Sequence, residues 1–441
     1  MKIRDGKALI TGFGGVTGAG DETAFREAWL SGVSSVRLFE GKKHQGLPPG
    51  YGAPADFVHR DLRALPGGRG LRPGTMTAHT FLAVGGVGRA LQSAGINDPA
   101  SDPPEVTERR GCFIGTYTNF PAMQKHLRLA HAMGSPDAAE DGEYLIDDSR
   151  ISGGMKGFTG FDFLKLMNNM PTAHVSIQAN VRGPANTFLG HSSVGLQAVG
   201  RAWDALRLNQ ADQCVAGASG PGTIEGMCLI RQSRGTLANP EAEPSQASRP
   251  FDSAATGLVP ADGAAAVLLE TEESAAARGA TPIAQLVAYN ELFALPPQDR
   301  GPLTDSTEFE RLIHGLLEEA GWTTDSVDYV GACAPGHLDT DAMEAEGLVR
   351  LFGVDGLSEK LAVHTGVTGF TEAAHGALSL VGALQAMQDG KLPPMVNLES
   401  PVGRLAGMVV RKSPVSADIR RAIAYSIAPE GTMTAVAVER I

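Results

Sequence analysis

The chain has 441 residues, 42% of them hydrophobic and 20% charged, an ordinary globular balance with apolar material for one large or two medium domains. Its formal net charge of -12 repels phosphate backbones and anionic lipid surfaces, which excludes sequence-independent nucleic-acid binding and fits an acidic enzyme or subunit. Cys112, Cys214, Cys228 and Cys333 lie far apart, without a CxxC pair or zinc-type Cys/His spacing, so reduced thiols, a cytoplasmic location and no bound metal are expected.

From the N-terminus, MKIRDGKALITGFGG offers only a short apolar run, and no run approaches the ~20 residues of a membrane span. Lys7 to Phe13 reads as a buried strand, Phe81 to Ala94 as a helix and Cys112 to Thr116 as a strand. His174 to Gln178 and Ala185 to Leu189 read as further strands. Ser192 to Leu208 is a helix in which Leu196, Val199, Trp203 and Leu206 form one apolar stripe, and Trp203 is read as packing. Strands Gln213 to Ala218 and Gly263 to Glu270 close this half.

The second half repeats the order. Ile283 to Tyr289 is a strand, Phe309 to Ala320 a helix stopped by Gly321, Val327 to Ala332 and Leu361 to Thr365 strands, and Thr371 to about Met387 a small-residue helix. Arg421 to Ile427 and Met433 to Val438 mirror the pair that closes the first half. Two copies of one α/β unit imply pseudo-twofold symmetry and a site where the copies meet. The division is placed at 1–278 and 279–441. Ser135 to Gly157, Gly235 to Gln246 and Leu295 to Ser306 read as surface loops, the acidic run from Asp137 to Asp148 being a solvated face.

Several blocks carry a resemblance. GPANTFLGHSSVGLQAVGRAWDALRLNQADQCVAGAS (Gly183 to Ser219) resembles the active-site segment of elongating β-ketoacyl-ACP synthases, the ketosynthases of the thiolase superfamily. RPFDSAATGLVPADGAAAVLLE (Arg249 to Glu270), MNNMPTAHVSI, VDYVGACAPGHLDTDAMEAEGLVRLFG and YSIAPEGTMTAVAVERI are similar to further blocks of that family, in order and over nearly the whole chain. The resemblance implies a five-layered α-β-α-β-α fold with two mixed sheets, one per half. It also implies a dimer whose halves pair along Ala185 to Leu189.

The chemistry of that family needs a cysteine thiolate at a helix N-terminus, two histidines that polarise a malonyl thioester, and a lysine. The family's nucleophile lies three residues before Gly195 and nine after Gly183, which selects Ser192. Its first histidine, counted back from Asp341 and Glu344, is Cys333. In LAVHTGVTGFTEAAHGA the lysine position is Thr365 and the second histidine is Phe370; the turn whose Phe gates the acyl pocket is APEG, Ala428 to Gly431. A serine hydroxyl needs an adjacent base, and a phenyl ring makes no conventional hydrogen bond.

No catalytic residue and no cofactor are therefore expected, and Ser192, Cys333, Thr365 and Phe370 are read as vestigial positions. The chain looks like a chain-length-factor-type subunit, the partner of an active ketosynthase in polyketide or fatty-acid-type elongation, handling acyl chains on acyl carrier protein. The common chain-length factors carry Gln at the nucleophile position, where this chain has Ser. Two rivals stand beside this. Gly190-His191-Ser192-Ser193-Val194 partly imitates a nucleophile elbow, so Ser192 with His191, His337 or His375 as base would make a serine acyltransferase or hydrolase. A homodimeric acyl-binding protein is the other.

Plainer readings apply to the remaining features. Ser192 caps its helix. TGFGGVTG (Thr11 to Gly18) is a turn, out of register with dinucleotide loops. His364 and His375 are core histidines, Cys333 a small buried side chain, and Asp341 with Glu344 a backbone clamp at the lobe junction rather than a metal pair.

Overall fold

The structure is a computed structural model that describes residues 4, 6–40, 44–118, 149, 152, 155, 159–295 and 303–441. The loop at Ser135 to Gly157, with its acidic run, and the middle of the loop from Leu295 to Ser306 lie outside the described residues, Ser149, Ser152 and Met155 excepted. Short Val-, Ala- and Gly-rich runs form strands buried on both faces. In chain order the first half supplies β1 (Ala8–Thr17), α1 (Ala78–Ser93), β2 (Arg110–Thr116), α2 (Met170–Gln178), β3 (Ala185–Leu189), α3 (Val194–Arg207), β4 (Gln213–Pro221), α4 (Glu225–Ser233) and β5 (Asp262–Thr271). The second supplies β6 (Ala284–Phe293), α5 (Thr307–Ala320), β7 (Tyr329–Gly331), α6 (Leu338–Phe352), β8 (Leu361–Ala362), α7 (His375–Asp389), β9 (Arg421–Ile427) and β10 (Thr432–Arg440).

The strand order is β1-β5-β4-β2-β3 in the first half and β6-β10-β9-β7-β8 in the second. Each runs through two antiparallel and then two parallel pairings. This is the repeat read from the sequence. The two sets are not separate sheets, however: Ala8 to Ile10 of β1 pair with Ala284 to Leu286 of β6, joining them edge to edge. The short register satisfies backbone groups at the inner edge of each set.

Successive strand residues feed different layers. Val215 and Leu268 face α1 and α2, whereas Ala216 and Val267 face the middle of the molecule. In the second half Ala424 and Val436 face the middle, and Ile423 and Ala435 face the opposite outer layer with Phe309, Leu312 and Leu316 of α5. Helices α3 and α7 pack on each other and on strands of both halves, forming the central layer of five. Among the described residues no helix is long and apolar enough to cross a membrane.

Four local expectations change. Thr11 to Gly18 is not a turn: Thr11 to Thr17 continue β1, with Gly12 to Thr17 paired to β5. His174 to Gln178 is part of helix α2, not a strand: Pro171 starts the helix, His174 Nδ1 meets the Met170 carbonyl at 3.0 Å, and the place beside β2 is taken by β3. A five-residue apolar run cannot by itself distinguish the two. The strand expected from Leu361 to Thr365 stops at Ala362, where β7 ends, and Thr365–Thr368 coils into a helical turn. Ser192 is not the helix cap; Ser193 holds that position and makes no side-chain capping bond.

Candidate functional site

The site lies where α3 begins, α7 begins and the β9–β10 turn closes over both. Chain leaving β3 passes Gly190 and His191 and delivers Ser192 with no exposed surface. Its hydroxyl donates to the Ile427 carbonyl at 2.9 Å, and its carbonyl accepts from Gly376 N at 3.1 Å. The Cys333 Sγ lies 3.6 Å from that same Ile427 oxygen and 3.7 Å from Ser426 Oγ. Burial first, and the nearby Glu344 carboxyl second, push this thiol well above its usual range, so it stays protonated.

Thr365 Oγ1 donates to the Cys333 carbonyl at 3.2 Å, and His375 Nε2 donates to the same oxygen at 2.7 Å. The Phe370 ring sits 4.9 Å from the His375 ring and 5.5 Å from the Arg231 guanidinium. The four positions singled out in the sequence therefore meet at one locus, each buried.

Burial lowers His375 to about 4, leaving its imidazole neutral, with Nδ1 buried and without a hydrogen-bond partner among the described residues. Its neighbour His364 is also neutral: burial and then the adjacent His375 hold it well below the usual value, and its Nε2 donates to the His375 carbonyl. Asp341 and Glu344 act on backbone. Glu344 accepts from Cys333 N at 2.9 Å, Ala334 N at 2.8 Å and Tyr425 OH at 2.6 Å, while Asp341 accepts from Phe251 N at 2.8 Å and Gly336 N at 3.2 Å. Ala334 and Gly336 are at positive φ, so the two carboxyl groups, both raised by burial, hold a turn that the chain would not keep unaided. Among the described residues no group of three His, Cys, Asp or Glu is arranged to hold a metal ion.

Four further residues shape the locus and were not singled out for it in the sequence, except for His191 as a conceivable base. Arg231 of α4 makes a bidentate pair with Glu372, Nε to Oε1 at 3.0 Å and Nη2 to Oε2 at 2.5 Å, with the two side chains 5% and 4% exposed. His191 lies with Nδ1 3.9 Å from Glu372 Oε2 and Nε2 3.7 Å from Glu430 Oε2, its ring against Tyr117. Glu430 Oε1 also accepts from the His191 backbone N at 3.2 Å. A charge at Glu372 inside the small-residue run TEAAHGAL was the available sequence signal; its partner, 141 residues away, had none.

Burial alone would raise the Glu372 carboxyl; the Arg231 guanidinium and His191 overcome this and hold it at about 2. A depressed folded value stabilises the protein above the ordinary 4.5 and is lost as pH falls towards 2, a contribution of about 3 kcal/mol. Acid unfolding followed by circular dichroism is therefore expected to shift to lower pH in an Arg231→Met/Glu372→Leu variant. An unchanged midpoint would remove the pair from the acid transition.

The chemical capacity of the locus follows. Ser192 Oγ is engaged as a donor to a carbonyl, and no histidine hydrogen-bonds it among the described residues. His375 is fixed on Cys333 O, and His191 faces two carboxylates. His337 opens α6 and makes no bond to Ser192. Pro429, at the crest of the closing turn, has no N–H to offer an oxyanion. An alkyl fluorophosphonate is thus expected to leave Ser192 unmodified; a stoichiometric adduct lost in Ser192→Ala would establish a working serine nucleophile.

The repeated strand order around a two-helix central layer is that of a thiolase-like fold. The chain belongs to the β-ketoacyl synthase family: residues 7–275 match the family's N-terminal domain and residues 299–399 its C-terminal domain. A 3-oxoacyl-[acyl-carrier-protein] synthase 2 of Coxiella burnetii is 30% identical over 258 residues, 58% of this chain and 61% of that protein. Nodulation protein E of Rhizobium meliloti is 25% identical over 99% of this chain and 100% of its own length. Among solved structures, the ishigamide ketosynthase/chain length factor superposes with a TM-score of 0.82 at 19% identity, covering 99% of this chain and 100% of that one. A β-ketoacyl synthase from Burkholderia phymatum does so with a TM-score of 0.79 at 21% identity, covering the same shares.

Proposed function

We propose that this chain is a non-catalytic, chain-length-factor-type subunit that pairs with an active β-ketoacyl-ACP synthase in polyketide or fatty-acid-type chain elongation in the cytoplasm. One observation carries the reading: the four positions that would do the chemistry hold Ser192, Cys333, Thr365 and Phe370, each buried and tied to its neighbours rather than to open space. A thiolate, two imidazoles and an ammonium have no counterpart there. The solved ketosynthase/chain length factor is a fold relative with this division of labour in its name.

The proposed partner sits on β3. That strand has one neighbour among the described residues, and its Leu189 is exposed, leaving a backbone edge and an apolar side chain for a second sheet to cover. Carrier protein is the second partner. Exposed Arg60, Arg63, Arg69 and Arg72 lie in the segment that leads into α1, cations on an acidic chain and a match for an anionic phosphopantetheine carrier. The two halves are assigned to 1–278 and 279–441, with the boundary in the link before β6.

Co-expression with cysteine-containing ketosynthases tests the proposal. A heterodimer on sizing and condensation activity that depends on both chains are expected. A chain that stays a homodimer and elongates acyl-ACP alone refutes it.

A further inference from the structure

We infer that the Arg231–Glu372 pair, with the Glu430–His191 contact beside it, is a charged stopper that bars acyl thioesters from this chain's own former reaction site, so that only the partner's site can take them. The inference rests on the subunit reading for that consequence, and on the following observations for the stopper itself.

Two energetic costs coincide beside Phe370. Desolvating an arginine and a glutamate is seldom repaid in full by their attraction, and an apolar pair of similar volume is often more stable. Glu372 moreover sits at φ 51, a left-handed conformation that a non-glycine residue avoids. Costs of this kind persist at places of use. Catalysis is a poor account of the use, because Glu372 is neutralised by a bidentate guanidinium and His191 stands 3.9 Å from it, beyond hydrogen-bond length.

Exclusion accounts for both costs. An acyl chain binds by covering apolar surface, and next to Phe370 it would lie against a buried ion pair whose hydrogen bonds it can neither share nor replace. The turn beside the pair is tied down as well. Glu430, 36% exposed, bonds the His191 backbone and stands 3.7 Å from its ring, and Ile427, next to the turn, is bonded by the buried Ser192. Thr434 Oγ1 ties the far side of the turn to the Ser193 carbonyl at 2.9 Å. The buried His191 Nδ1 and Glu430 Oε2, neither hydrogen-bonded among the described residues, mark where these tethers stop short of full hydrogen bonds, which is how a closure that can open would look.

A reporter thiol reads the stopper directly. In Ser192→Cys, alkylation of the introduced thiol by iodoacetamide is counted by intact mass against the four native cysteines, all of them buried. Adding Glu430→Ala is expected to speed labelling of that thiol by about tenfold or more. Adding Arg231→Ala with Glu372→Ala is expected to speed an alkyl-chain iodoacetamide more than iodoacetamide itself. Equal rates with and without Glu430→Ala in protein with an unchanged melting temperature overturn the inference, as does an alkyl-chain reagent indifferent to the paired change. A paired variant that fails to fold labels all its thiols together and is recognised by that; Arg231→Met/Glu372→Leu then takes its place, with the same outcomes. Labelling is read on the chain alone. Loss of the heterodimer result defeats the subunit reading and leaves the labelling result standing.

Discussion

Ser192→Cys, purified alone, is expected to condense acyl and malonyl thioesters no faster than the unmodified chain, despite regaining the family's nucleophile. A thiol at this position points at the Ile427 carbonyl, whose lone pairs oppose a thiolate, and the neighbouring His191 faces the Glu372 and Glu430 carboxylates rather than the thiol. The imidazoles within reach are neutral or engaged, and Phe370 cannot hold an enolate oxygen. Groups that act as a unit lose most of their effect when any one is missing, so the deficit against an intact ketosynthase is about 10⁴-fold or larger. Carbon dioxide release from malonyl-pantetheine and product mass spectrometry measure it. Condensation within a hundredfold of an active family member would show that this pocket works with other groups, and the subunit reading would fall.

The second large effect concerns the buried ion pair. Arg231→Ala leaves the Glu372 carboxylate in a 4%-exposed position without its partner, at an expected cost of about 3–5 kcal/mol. Arg231→Met with Glu372→Leu fills similar volume without charge and is expected to be neutral or stabilising by about 1–4 kcal/mol. Urea unfolding of the two variants against the parent checks both. A double variant as unstable as the single one would mean that the pair is structural and not retained for exclusion.

The two experiments bear on one physical question, what a site becomes once its reacting groups are replaced. In this chain the replacements are not spread over an empty pocket. Thr365 and His375 converge on the Cys333 carbonyl, and Ser192 and Cys333 on that of Ile427, so the locus is knitted by hydrogen bonds. Such a network holds α3, α7 and the β9–β10 turn together. On the proposed reading, the reaction centre of an active family member is here part of the scaffold.

Much of this architecture is written locally. Apolar runs bounded by turns gave β1, β2, β3, β4 and β5, and their recurrence as β6, β7, β9 and β10 exposed the repeat, because strand burial and helix amphipathicity are properties of short windows. Residue spacing within the family blocks singled out Ser192, Cys333, Thr365 and Phe370, four positions that the fold brings together. Other features needed the fold. The helix at Met170–Gln178 was settled by which segment fills the edge beside β2. The role of Ser192 was settled by the approach of Ile427, 235 residues later in the chain. Arg231 and Glu372 meet only because strand order carries α4 to the start of α7. Local composition fixes what each segment can be, whereas contacts between distant segments, and with them the protonation and reach of every polar group at the site, exist only after the sheet is assembled.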